Sequence, residues 1–375
     1  MGSESTTVSS DLATLNASMT DPELMNETAS SDWLWTPITW SWWISIQLVV
    51  ACLGLVGNLL VLLVLFHRRS FKKPTDILIG GLAAADFITS IFMIPQPKLS
   101  GAPDTVLGNV ACKLVYSSIF LWISISSSVF TLTAIAIERY IAVLHPVKFK
   151  IWVTPKRLVY WFLAIWLLSF ALNSRTFGTT MVDSTAGKCV VNYSHSAIQI
   201  VLGIFVFLIR FIFPAIIMLV CYYLITRSLR QRSERFQAQT VKSVDSRLEQ
   251  KNAGPSQSLL AARSKVIKIM FVVIITFIVC WAADSTGLLA YNSHLVGRWY
   301  LYSHLYHVFV IVAFFNTCAN PLIYTVNYPE FRLAIRDLFF GSHGVRGSLF
   351  SKDTEQSTEA NDHSDKAGKY ALTNI

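Results

Sequence analysis

Full charges stand in this chain where they are costly. Asp86 lies midway along one long apolar run, Glu138 and Arg139 close another, and Arg210 and Asp284 interrupt two more. A charge in hydrocarbon persists when it is paired or turned toward the interior of a helix bundle, and such residues are functional by default. The chemistry they offer is ion holding, ion pairing and recognition of a charged ligand. His304 and His307 add two imidazoles, but no third ligand has suitable spacing for a metal. They are expected to line a pocket or an interface.

The elements that must position these residues are transmembrane helices. The chain of 375 residues is 53% hydrophobic and 14% charged, with a mean hydropathy of +0.49, where a soluble domain would carry about a quarter charged residues. A helix needs roughly 20 apolar residues to cross the hydrocarbon. Such runs are predicted at 41–66, 76–97, 113–138, 157–174, 197–226, 266–291 and 299–325. The predicted fold is therefore an all-α membrane protein, a seven-transmembrane helix bundle whose backbone polar groups are bonded within each helix.

Lys and Arg are absent before Arg68 and then collect in alternate loops. Arg68, Arg69, Lys72 and Lys73 follow the first span, Lys148, Lys150, Lys156 and Arg157 the third, and a basic stretch joins the fifth to the sixth. This bias places the N-terminus outside and the C-terminus in the cytoplasm. The net charge of +9 is thus a topology signal, and seven spans argue against nucleic acid as a partner.

Residues 1–40 form a polar tail with six acids and no base. No apolar segment opens it, so the first span is expected to serve as signal anchor. Asn16 and Asn26 begin glycosylation sequons in the tail, and Asn192 begins a third before span five, all on the expected outer side. Trp33, Trp35, Trp40, Trp42 and Trp43 read as an interfacial aromatic belt. Of six cysteines, Cys52, Cys221, Cys280 and Cys318 fall within spans and read as small buried hydrophobes. Cys112 and Cys189 remain, both on the outer side, where an oxidising compartment lets them pair and pin the loop before span five over the bundle mouth.

Short motifs follow the spans in order. They are Gly57-Asn58, Leu82-Ala83-Ala84-Ala85-Asp86, Glu138-Arg139-Tyr140, Trp166, Pro214 with Tyr222, Phe277 with Cys280-Trp281, and Asn320-Pro321-Leu322-Ile323-Tyr324. Together they resemble the rhodopsin-like (class A) G-protein-coupled receptors over about residues 41–340. The resemblance implies roles. Asp86, Ser128, Asn316 and Asn320 would hold a sodium ion in the resting state, as the allosteric ligand of a protein expected to have no other cofactor. Glu138 would restrain Arg139, which engages the G protein when span six moves, and Tyr222 and Tyr324 would close in behind it. Tyr140, Pro214, Phe277, Trp281 and Pro321 complete the switch. Leu121, Ile125, Arg210, Asp284 and Val310 become ligand-pocket candidates. In such a fold spans five and six are neighbours, so Arg210 and Asp284 are expected to pair, with a ligand carboxylate or guanidinium as competitor.

Several positions depart from the family pattern. Ala283 stands where a proline is usual after Trp281, so span six is expected to kink less. The segment from Cys112 to Arg139 is two residues longer than usual, which calls for a bulge in the helix or a cysteine set a turn further out. The tryptophan common in the first outer loop is absent from 104–112. Arg263 occupies the place on span six that often carries a second acid for Arg139.

Ligand class follows from what is missing. Between Lys113 and Glu138 there is no acid to anchor an amine, and span seven has Phe314 and no lysine for a retinal Schiff base. The run Phe130–Tyr140 is similar to galanin-, somatostatin- and tachykinin-type receptors, and the acidic tail favours a basic or amidated peptide by steering. The expected protein is a plasma-membrane receptor for an extracellular, neuropeptide-like ligand that activates heterotrimeric G proteins and is no enzyme. A small non-peptide ligand is the alternative in the same fold. A transporter or channel is the rival from another class, and no internal repeat supports it.

The organisation expected is a glycosylated tail at 1–40, the bundle at 41–327, an amphipathic membrane-surface helix at 328–340 and a disordered cytoplasmic tail at 341–375. In the surface helix Phe331, Ile335, Leu338 and Phe339 would face lipid, with Arg332 and Arg336 toward headgroups. Ser348, Ser351, Thr354, Ser357, Thr358 and Ser364 are candidate sites for receptor kinases and hence arrestin. Thr373-Asn374-Ile375 matches a loose PDZ-binding pattern.

Overall fold

The computed structural model describes residues 33–67, 73–242, 253–327 and 329–340. Asn16, Asn26, Arg68, Arg69, Lys72, the Arg263 side chain, the candidate phosphorylation sites and the C-terminal tripeptide lie outside the described residues. The chain divides into two compact units.

The larger unit carries seven helices long and apolar enough to cross a membrane. They are α1 (Trp42–His67), α2 (Pro74–Met93), α3 (Ile119–Leu144), α4 (Pro155–Asn173), α5 (Ser196–Phe207, continuing as Phe213–Lys242), α6 (Ala253–Asn292) and α7 (His304–Asn327). An eighth helix, α8 (Pro329–Phe340), follows. Local chemistry sets several ends. Pro74 opens α2 with Asp76 in its first turn, a fixed φ and a negative charge both suited to a helix N-terminus. Pro155 opens α4, where Thr154 accepts a hydrogen bond from the Arg157 backbone N–H. Span two ends at Met93, short of the expected 97, because Pro95 and Pro97 cannot donate to a helix ladder. Span seven starts at His304 rather than 299, since residues Arg298–Tyr302 form a separate tight turn of helix.

Packing runs in a ring: α1 on α2 and α7, α2 on α3, α3 on α4 and α5, α5 on α6, α6 on α7. The most enclosed helix is α3. Several of its hydroxyls donate to carbonyls of the same helix, Ser126 to Trp122 O, Thr131 to Ser127 O and Thr133 to Val129 O, whereas the Ser127 hydroxyl is buried without a partner. Gly57 lets α1 approach Pro321 of α7, since a Cβ there would lie 2.9 Å from the proline ring. Pro321 has no N–H for the Thr317 carbonyl four residues back. Asn58 supplies the missing donor from α1, Nδ2 to Thr317 O at 3.0 Å.

Two π turns modify this frame. Leu208–Ile212 widens α5 immediately before Pro214, where the proline deprives the Arg210 carbonyl of its usual donor. Cys112–Tyr116 is the second, and Ser118 then takes a left-handed conformation (φ 52°) before α3 opens at Ile119. Of the two expectations for the extra length before Arg139, a bulge or a cysteine set a turn further out, this irregular stretch agrees with the bulge. Span three accordingly starts later than 113 and runs on to Leu144.

The smaller unit, residues up to 37, 97–117 and 176–192, holds an antiparallel sheet that the all-α expectation did not include. Its strands are β1 (Leu34–Thr36), β2 (Lys98–Gly101), β3 (Thr180–Asp183) and β4 (Lys188–Val191), in the order β1-β2-β4-β3. The β3–β4 turn is tied by Asp183, which accepts from the Thr185 hydroxyl and backbone and from Ala186 N, and these bonds hold its carboxyl below the usual value. Gly187 supplies the positive φ of 60° that closes the turn. Cys112 and Cys189 form a disulfide in this unit, beside Leu99 and Val182. Trp35 lies in β1 rather than on the run into span one.

Candidate functional site

Glu138 and Arg139 are consecutive on α3, yet both turn inward. Arg139 donates from Nε to Glu138 Oε2 at 2.6 Å and from Nη2 to Oε1 at 3.0 Å. Glu138 is fully buried, and its Oε1 also accepts from the Thr75 hydroxyl of α2 at 2.9 Å. This third partner, 63 residues away in sequence, lies beyond any local pattern. Beside the pair is a cleft lined by residues such as Thr75, Leu132, Arg139, Met218, Ile274 and Tyr324. Tyr222 stands outside that lining and stacks on Phe271, with ring centroids 5.1 Å apart. Tyr140 turns to His145, 3.4 Å from its hydroxyl to Nε2.

Toward the middle of the helices Asp86 is buried at 1% exposure. Ser128 Oγ donates to its Oδ1 at 2.6 Å and Asn320 Nδ2 to its Oδ2 at 3.0 Å. Asn316 is buried as well. Ser128 of α3 and Asn320 of α7 are thus brought to Asp86 of α2.

Above Asp86 an apolar cluster contains Leu121, Ile125, Phe277 and Trp281, with Val310 packed against it. Phe277 is completely buried and meets Phe211 at 6.1 Å between centroids. Trp281 is buried with its indole N–H unpartnered.

Arg210 and Asp284 do not form the expected pair. Arg210 Nη2 donates to Asn173 Oδ1 at 2.8 Å, and the guanidinium lies 5.0 Å over the Trp122 ring. Asn173 is held in turn by Ser126 and Ser169 O. A carboxamide and an aromatic face thus hold the cation that Asp284 was expected to neutralise, while its Nε is left unpartnered. Asn173 could have been found as a polar residue at the end of an apolar run; Trp122 carried no such mark.

The remaining expectations divide. His304 sits against Trp42, and His307 packs on Trp43 at 4.1 Å, an interfacial arrangement with no group of three metal ligands among the described residues. Asn192 is exposed, as a sequon requires. Cys221, Cys280 and Cys318 are buried, whereas Cys52 is exposed, because its position on α1 faces away from the other helices. In α8, Phe331 and Ala334 pack with Val61, Leu65 and Tyr324. Phe339 is exposed rather than sharing that face, and Arg332 donates to the Thr325 and Val326 carbonyls, capping α7 instead of reaching outward.

Seven apolar helices, with a buried Glu138–Arg139 pair at one level and a buried carboxylate at another, define a polytopic membrane protein. The chain belongs to the rhodopsin family of seven-transmembrane receptors, whose family model matches residues 57–324. It is 26% identical over 369 residues to the cholecystokinin receptor type A of Cavia porcellus, covering 83% of this chain and 85% of that one. The human cholecystokinin receptor type A is 25% identical over 367 residues, with the same coverage of each. The thyrotropin-releasing hormone receptor of Gallus gallus is 29% identical over 323 residues, 79% of this chain and 78% of that one.

Proposed function

We propose that this receptor binds an extracellular peptide and activates heterotrimeric G proteins from the plasma membrane, with its N-terminus outside. The observation that carries the reading is the doubly bonded Glu138–Arg139 pair beside an open cleft. A cation held by breakable bonds next to a space between helices can be released to a partner. The similarity to receptors named for cholecystokinin and thyrotropin-releasing hormone supports a peptide over a small non-peptide ligand.

A sodium ion belongs to the same proposal. Asp86 offers a buried carboxylate whose described partners are neutral, and Ser128, Asn316 and Asn320 add hard oxygen donors, so the residues fit the ion. When bound, it would neutralise the carboxylate. Receptor kinases and arrestin at the C-terminal tail, a PDZ partner and lipid contact by α8 complete the expected partners.

The test is nucleotide exchange on purified G proteins, driven by receptor membranes and pools of peptides. A response lost in Arg139→Ala while ligand binding survives supports the reading. Ion or solute flux through the protein in liposomes, without nucleotide exchange, would overturn it.

A further inference from the structure

Asp284 is the anomaly of the outer half of the helices. It is 3% exposed, and its Oδ1 has no hydrogen-bond partner. The acids deeper in the helices are engaged, Asp86 by Ser128 and Asn320, Glu138 by Arg139 and Thr75. Arg210 is near enough for its charge to act on Asp284, but it is committed to Asn173 and Trp122. A buried carboxylate left in this condition is expensive. What it lacks is a donor, and a cationic one would offset the most.

The groups around it have the matching character. Trp281 lies one turn before Asp284 on the same face of α6, and its indole N–H is also unpartnered. The Asp284 charge reaches Tyr300 and Tyr306, whose rings meet edge to face at 5.5 Å. The Tyr300 hydroxyl is buried without a partner and occupies the space that a side chain at Gly287, the next turn of α6, would need. One carboxylate with three aromatic residues is the composition that binds ammonium and guanidinium groups, the acid supplying charge and the rings supplying negative faces. Arg210 makes the weaker case for an anion: its Nε is also unpartnered, but its guanidinium already has a charge-assisted hydrogen bond and a ring, whereas Asp284 has neither.

We infer that Asp284, flanked by Trp281, Tyr300 and Tyr306, is the anchor for a cationic group of the ligand, an ammonium or a guanidinium. The inference rests on the receptor reading for its biological sense, but its test needs no G protein. Benzamidine, benzamide and benzoate share size and shape and differ in charge. Each is added at millimolar concentration to the purified full-length receptor, and the thermal unfolding midpoint is followed. Benzamidine should raise the midpoint by about 2 °C, the order expected for a weak ligand of a domain this large; the neutral and anionic probes should not. Asp284→Asn should abolish the shift and Asp284→Glu should retain part of it.

Should Asp284→Asn fail to fold, the three probes on the unmodified receptor still decide. A shift with benzoate instead, through Arg210, would overturn the inference, as would no shift with benzamidine or an undiminished one in Asp284→Asn. Signalling can fail while benzamidine still binds through Asp284, so the two proposals stand or fall separately.

Discussion

If the Glu138–Arg139 pair holds the resting state, removing the carboxylate should raise ligand-free signalling by an amount the geometry sets. Glu138→Gln keeps the shape and one acceptor but loses the charge that receives two Arg139 donors at 2.6 and 3.0 Å. The side chains are 0% and 11% exposed, so solvent screens the pair little. Hydrogen bonds to charged groups contribute about 1.5–3 kcal/mol. At about 1.4 kcal/mol per factor of ten, the resting bias should fall by roughly ten- to a hundredfold. Thr75→Ala removes a single bond to the same carboxylate, at the low end of that range, about 1.5 kcal/mol or some tenfold. Because Thr75 acts through Glu138, the double variant should exceed Glu138→Gln by little. The assay is basal nucleotide exchange on purified G protein at matched receptor density. Unchanged basal exchange in Glu138→Gln would refute the lock, and a full additional effect of roughly tenfold from Thr75→Ala in that background would show that the two residues do not share one contact.

Other expectations follow from the same coordinates. Agonist affinity should fall as sodium rises in the unmodified receptor and lose that dependence in Asp86→Asn; equal dependence in both removes Asp86 from the ion. Asn173→Ala strips Arg210 of its 2.8 Å hydrogen bond and should lower the unfolding midpoint of purified receptor by several degrees, from about 1.5–3 kcal/mol, while Asp284→Asn should not lower it. Arg332→Ala frees two carbonyls at the end of α7 and should expose the α7–α8 junction to protease; an unchanged digestion pattern would count against the cap. Cys112→Ser and Cys189→Ser should each lose about 2–5 kcal/mol, and the double variant should lose no more than either single one.

The seven spans were legible because about 20 consecutive apolar residues have few other uses, and their motifs located Asp86, Glu138 and Trp281 on the right helices. The π turn before α3 was half legible: the extra length called for either a bulge or a cysteine set a turn further out, and the irregular stretch from Cys112 to Ser118 shows where the helix departs from regularity. The four-stranded sheet was not legible, since strands of three or four residues carry no measurable alternation and owe their pairing to distant chain segments. Thr75 escaped for the same reason of distance. Arg210 was misassigned because opposite charges on neighbouring helices suggest a pair, whereas a guanidinium is equally content with an amide oxygen and an indole face, and Asn173 and Trp122 stood closer.

The forty residues of α6 form one uninterrupted helix, and Ala283 stands where a proline would have given it a hinge. A rod without a hinge moves as a lever. From Trp281 to Ala253 the arm is about 42 Å, so a tilt of about 10° at the level of Trp281 sweeps the far end through about 7 Å. Small repacking around that indole is therefore multiplied by leverage alone. A proline introduced at 283 would kink the rod, shorten the working arm and blunt the stroke without touching the Glu138–Arg139 pair.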